Sequence, residues 1–480
     1  MRRFLLLPLA AALLVAGCAT SLPDLPADAP VPARFKEDGA RWTVAHPAEA
    51  QDRGTWWKPF ADPALDRLVE QAAERNTSIA EAGARLAQAR ALVRSARADR
   101  MPQVGLGASA SRGAGANTPS GAEPATLLQA DAALSWELDL SGRLARAQDA
   151  NALDAQAREA LLQSTRLMVQ AEVAQAYLAL RALDAERTLV RETVRAYGDT
   201  LRLTQRRYQA GDVAELDVVR VQTEFSATES EALALDRQRA QLEHALAVLV
   251  GEAASEFSLP PIAWSTALPA IPPGVPGTVL ARRPDVAAAQ SSLLAAQARV
   301  GVAQSAWFPS VALTGAGGFA SPELGDLFKW SARAWSVGAL LSLPIFDGGR
   351  REAGVLSAQA QLDAQLAQYR GQVLNAFREV EDQLSALRLL DEQSQAQGRA
   401  VDAARRASAI SETRYHAGMV SQLELLDARR SELRNRRQAL QVRSAQYQAT
   451  VGLIRALGGG WDAAPSAPAA TKEHSQLAAR

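Results

Sequence analysis

The first residue able to do chemistry is a thiol. Cys18 is the only cysteine and closes the run Val15-Ala16-Gly17-Cys18. Before it stand Met1-Arg2-Arg3 and an apolar stretch from Phe4 to Ala16. A short basic segment, an apolar core of about 7–15 residues and small residues at the cut describe a secretory signal peptide. Val15-Ala16-Gly17-Cys18 resembles the bacterial lipobox, where cleavage leaves an N-terminal cysteine that is acylated, so residues 1–17 read as a lipoprotein signal. The alternative is an ordinary signal peptide beside an incidental cysteine. Several acyl chains anchor stably where one is marginal, and Ala19 in place of an Asp favours sorting to an outer membrane. Cleavage removes Arg2 and Arg3 and leaves 50 basic against 52 acidic side chains, a net of −2. That balance argues against a nucleic-acid binder.

Other reactive groupings are thin. The histidines (His46, His244, His416, His474) are scattered and none has metal-ligand spacing. A single cysteine excludes an internal disulfide and a multi-cysteine metal site. Gly315-x-Gly317-Gly318 and Asp347-Gly348-Gly349-Arg350 lack the Lys-Ser/Thr of a phosphate-binding loop. No Ser-His-Asp or paired-carboxylate arrangement stands out, so the sequence points to no enzyme and to no cofactor beyond a covalent lipid on Cys18.

The elements that position these residues come twice. Shifted by 207 positions, Pro102-Gln103-Val104 falls on Pro309-Ser310-Val311, and Gly142-Arg143 on Gly349-Arg350. At the same shift Arg207-Tyr208-x-Ala210-Gly211 falls on Arg414-Tyr415-x-Ala417-Gly418. One ungapped register over so long a stretch marks a duplication. The expected order is signal 1–17, N-terminal segment 18–61, first repeat 62–250, Pro-rich linker 251–282, second repeat 283–457 and tail 458–480. The three domains that 480 residues suggest become two copies of one unit.

Within each repeat the period changes in a fixed order. Residues 62–99 are Ala-rich with helical spacing, opened by Asp62-Pro63. After Pro102 the period becomes two, with Val104 and Leu106, then Leu134 and Trp136, on the apolar face of a hairpin. Val311, Leu313, Val337 and Leu341 do the same in the second repeat. A helix without internal proline then runs from about Arg143 to Gln209, reaching about 100 Å. Its heptad positions, from Val169 through Val190 to Leu201 and Tyr208, predict coiled-coil packing. Leu423, Leu426, Leu433, Leu440 and Tyr447 repeat the pattern. Gly211 and Gly418 mark tight reversals into a second helix.

Four apolar-faced strands per chain cannot close a barrel, for which about eight is the smallest usual number. Open edges therefore require more than one chain. Strands of about 10–12 residues suit a tilted outer-membrane span. No later apolar stretch is long enough for a membrane helix, the longest being Val337 to Phe346.

Several motifs now converge: Cys18; Trp56-Trp57-x-x-Phe60-x-Asp62-Pro63-x-Leu65; Asp139-Leu140-Ser141-Gly142-Arg143; Pro276; and Arg283-Pro284-Asp285-Val286. Phe308-Pro309 and Pro344-x-Phe346-Asp347-Gly348-Gly349-Arg350 complete them. Together they resemble the outer-membrane factors of tripartite efflux systems, TolC/OprM-like channels, and especially their NodT-type lipoprotein branch. The resemblance implies an α+β membrane protein, a homotrimer with a 12-stranded β-barrel continuous with a 12-helix tunnel. It implies a periplasmic adaptor, docked at the helix-turn tips around Gly211 and Gly418, an inner-membrane pump, and outer-membrane lipid around the barrel. It also implies a periplasmic gate at the tips, where by position Asp217, Glu424 and Asp427 match the family's acidic constriction. A carboxylate ring would favour cations; the same acids would equally suit a helix N-terminus. Val420 stands where some members place an Arg that ties the gate shut. A type I protein-secretion outlet would share this fold, and a periplasmic coiled-coil lipoprotein would share the heptads but leave the hairpins unexplained.

Overall fold

The computed structural model describes residues 35–37, 54–114, 123–269, 279–280 and 282–459. Cys18 and Pro276 lie outside the described residues. The described residues fall into two compact units, one built from 75–114, 123–166 and 284–378, the other from 35–37, 54–74, 167–269, 279–280, 282–283 and 379–459.

The first unit holds the sheet. Strands β1 (Gln103–Gly113), β2 (Ala125–Leu138), β3 (Ser310–Ser321) and β4 (Arg333–Ser342) pair antiparallel in the order β1-β2-β3-β4. The central pairing, β2 with β3, joins the hairpins of the two repeats. Directly opposed residues share a face, and the register forms continuous rows. Val104, Leu134, Gly315 and Val337 are one row; Trp136, Leu313 and Ala339 are another. Leu106 joins Ala132, Gly317 and Trp335, and Val311 sits between Leu138 and Leu341. Gln103, Ser135, Thr314, Asp131 and Ser336 occupy the other face. Gly318 is obligatory, because a Cβ there would run into the Ala130 carbonyl of β2.

The helices follow the 207-residue offset. With α1 (Pro63–Arg75) and α2 (Thr77–Ala98) preceding the sheet, α3 (Arg143–Gln209) and α4 (Glu215–Leu249) complete the first repeat. In the second, α5 (Pro284–Gln304), α6 (Arg350–His416) and α7 (Gln422–Ala456) answer them. The long helices have 67 residues each and their partners 35 each. An uninterrupted helix over 62–99 is not what forms. Asn76 takes an extended backbone, and its side chain accepts from the N–H groups of Ser78 and Ile79. That cap satisfies the first donors of a new helix, so the chain breaks into α1 and α2.

In the second unit the heptad positions make the core. Tyr197, Leu201, Val221 and Leu426 form one buried cluster, and Leu183, Val190 and Leu235 another. Tyr208 and Leu423, read as seam residues, are instead exposed. Each stands at the last or first turn of its helix, where no further turn covers it.

Candidate functional site

The ends of α3 and α6 are closed by the same hydrogen bonds. Gly211 N–H donates to the Tyr208 carbonyl (2.9 Å) and Asp212 N–H to Arg207 (2.8 Å). Gly418 N–H donates to Tyr415 (3.0 Å) and Met419 N–H to Arg414 (2.9 Å). This is a Schellman closure, which needs a left-handed residue, and the two glycines have φ of 81° and 73°. The turns leave Leu216, Val219 and Met419 exposed.

The three acids sit just past these turns. Asp217 and Glu424 are related by the repeat offset, each the third residue of its helix. Ser421 caps α7 by accepting from Glu424 N–H at 3.3 Å, while Ala214, its counterpart, makes no side-chain cap. Asp217 lies 3.8 Å from Arg220 and Asp427 lies 3.1 Å from Arg430, each one turn on. Only Glu424 has no ion pair among the described residues, so two of the three charges are screened within their own helices.

What motif reading missed is the set of ties between the two hairpins. Arg207 of α3 donates to the Tyr415 hydroxyl at 3.2 Å. Gln422 of α7 donates to Thr204 at 2.8 Å. Arg429 reaches Thr200 (3.0 Å) and Glu412 (2.7 Å), linking α7 to both long helices. Arg430 pairs with Glu224 of α4, and Arg437 with Glu186 and Glu231. Val420, with no polar side chain, takes no part in these bonds, yet the tips are cross-linked by arginines elsewhere. Beneath them Tyr197 is buried, its hydroxyl without a hydrogen-bond partner among the described residues. Burial, reinforced by the charge of Glu224, pushes its pKa up to about 12.

The aromatic and acidic motifs of the N-terminal segment serve packing. Trp56 is buried and donates from Nε1 to Gln170 at 3.0 Å. Asp62 caps α1 with one oxygen and with the other accepts from Tyr177 and Thr266, both at 2.8 Å. Arg283 is buried, pairs with Glu379 at 2.8 Å and donates to the Ala456 carbonyl at 3.0 Å, capping the end of α7. At the head of α3, Asp139 accepts from the N–H groups of Leu144 (3.0 Å) and Ala145 (2.7 Å).

The family model for outer membrane efflux proteins matches residues 68–252 and 275–459, the two halves again one repeat offset apart. The chain belongs to this family. It is 35% identical over 413 residues to the outer membrane protein OprJ of Pseudomonas aeruginosa, covering 85% of this chain and 86% of that one. It is 33% identical over 465 residues to the antibiotic efflux pump outer membrane protein ArpC of Pseudomonas putida, covering 95% and 96%. The solved outer-membrane channel OprN superposes with a TM-score of 0.84 at 33% identity, covering 92% of this chain and 99% of that one.

As an outer membrane efflux protein, the chain is the outer-membrane channel of an efflux pump. Channels of this family are trimers, and in this fold three chains close a 12-stranded barrel. Trimerisation resolves the open edges of the sheet: β1 and β4 each have one row of backbone groups unpaired among the described residues, and neighbouring copies supply their partners.

Proposed function

We propose that this efflux channel is a passive, lipid-anchored duct of an RND-type tripartite pump for small molecules. Lipid on Cys18 adds a second attachment to the barrel. The row-forming residues Val104, Leu106, Leu134, Trp136, Val311, Leu313, Val337 and Leu341 face outer-membrane lipid, because they share one face of the sheet. The tips at Gly211 and Gly418 receive a periplasmic adaptor, to which they offer exposed Leu216, Val219 and Met419. ArpC, named for an antibiotic efflux pump, supports small organic cargo.

One observation carries the gate. The two hairpins of a chain are tied beside their turns by Arg207, Arg429 and Arg430, so opening requires those bonds to break. Asp217, Glu424 and Asp427 stand at the same level of the sequence and supply the charge that solutes meet there. In planar bilayers, replacing all three acids by Ala should weaken cation preference and reduce block by polyvalent cations. Unchanged selectivity would remove them from the gate.

A further inference from the structure

The polar face of the sheet carries one carboxylate in a setting unlike the rest. Asp131 is the seventh of the fourteen residues of β2. Its neighbours across both strand pairings are glycines, Gly107 on β1 and Gly318 on β3. Its side chain lies over Gly107, where Oδ1 comes within 3.5 Å of the position a Cβ would take. No side chain on either flanking strand covers it at its own level.

No basic residue of the described strands shares that face with it. The described strands contain two basic residues, Arg112 and Arg333. Arg112 opposes Thr126 and Arg333 opposes Phe319, which places both with the Val104 and Leu106 face. The one other acid on the polar face, Glu137, is held bidentately by Arg143 at 2.8 Å. Asp131 makes no ion pair among the described residues. The flanking glycines therefore leave this half-buried carboxylate facing the space on that side without an ion-pair partner among the described residues.

We propose that Asp131 sets charge selectivity in the outer-membrane section of the channel, a second selective level independent of the helical tips. This rests on the reading that the polar face lines the lumen. A trimer then carries three such carboxylates at one height, favouring cationic over anionic small solutes. The lumen of a 12-stranded barrel is wide, so the effect depends on screening. In about 10 mM salt the Debye length is about 30 Å and the field spans the lumen; in 1 M it is about 3 Å and the field does not.

The test uses the full-length trimer with Asp217, Glu424 and Asp427 replaced by Ala, so that the tips do not set the selectivity. Adding Asp131→Asn should lower the potassium-to-chloride permeability ratio by about twofold or more in about 10 mM salt, with no difference at 1 M. Heat-modifiable migration verifies that the variant assembles. Separately, Asp131→Cys and Leu106→Cys are treated with a membrane-impermeant charged maleimide in outer-membrane preparations. Labelling at 131 and protection at 106 supports the lumen reading. The reverse pattern overturns that reading and the proposal with it. Labelling at 131 combined with an unchanged permeability ratio in Asp131→Asn overturns the proposal alone.

Discussion

Asp62, Tyr177 and Tyr197 show how single residues stabilise the helical unit. Tyr177 is buried and its hydroxyl donates to Asp62, and burial first, then that bond, raises its pKa to about 12. Tyr197 reaches about 12 through burial and Glu224, with no hydrogen bond to its hydroxyl among the described residues. The sign follows from linkage: the folded state favours the neutral phenol, so this stability is complete below about pH 10 and is lost as pH rises towards 12. Each group contributes on the order of 2 to 3 kcal/mol to that alkaline loss. Tyr197→Phe removes an unsatisfied buried hydroxyl. Thermal melts should show it no less stable than wild type at pH 7 and less steeply destabilised between pH 10 and 12. A variant that follows the wild-type alkaline curve would place the titrating group elsewhere. None of this was legible in the sequence, where Tyr197 is one apolar heptad position among many. Only packing reveals that its hydroxyl is sealed in.

At the scale of elements, the hairpins are held by cross-helix arginines rather than by the acids that a motif comparison selects. Asp217, Glu424 and Gly418 were legible because turn chemistry is local: a glycine at the C′ position and an acid in the first turn are visible within ten residues. The Arg207–Tyr415 and Arg430–Glu224 pairs were not, because each joins residues about 207 apart whose meeting depends on helix azimuth. Exposed ion pairs contribute little individually, so the tie acts through several bonds together. Replacing Arg207, Arg429 and Arg430 by Ala should raise single-channel conductance in bilayers and speed proteolytic cleavage near Gly211 and Gly418. Conductance equal to wild type would show that these bonds do not limit opening. The break between α1 and α2 has the same lesson in miniature, since Ala-rich spacing continued through Asn76 while its side chain captured two backbone donors.

At the scale of the molecule, the trimer turns four strands per chain into a closed 12-stranded barrel, and lipid on Cys18 is the proposed second attachment to the membrane. Cys18→Ser should abolish incorporation of labelled palmitate while leaving heat-modifiable trimers in the outer membrane. Continued labelling would exclude Cys18 as the acylated residue. The sequence by itself determined the duplication, the alternation of faces in each strand, the unbroken run of the 67-residue helices and the need for partner chains. Those properties repeat at short period along the chain, so local spacing encodes them. Only the tertiary structure decided that β2 pairs with β3, that Arg283 caps the end of α7, and that Asp131 faces glycine on both sides. Each of these joins segments far apart in sequence, and the register or rotation that brings them together is set by the packing of whole elements.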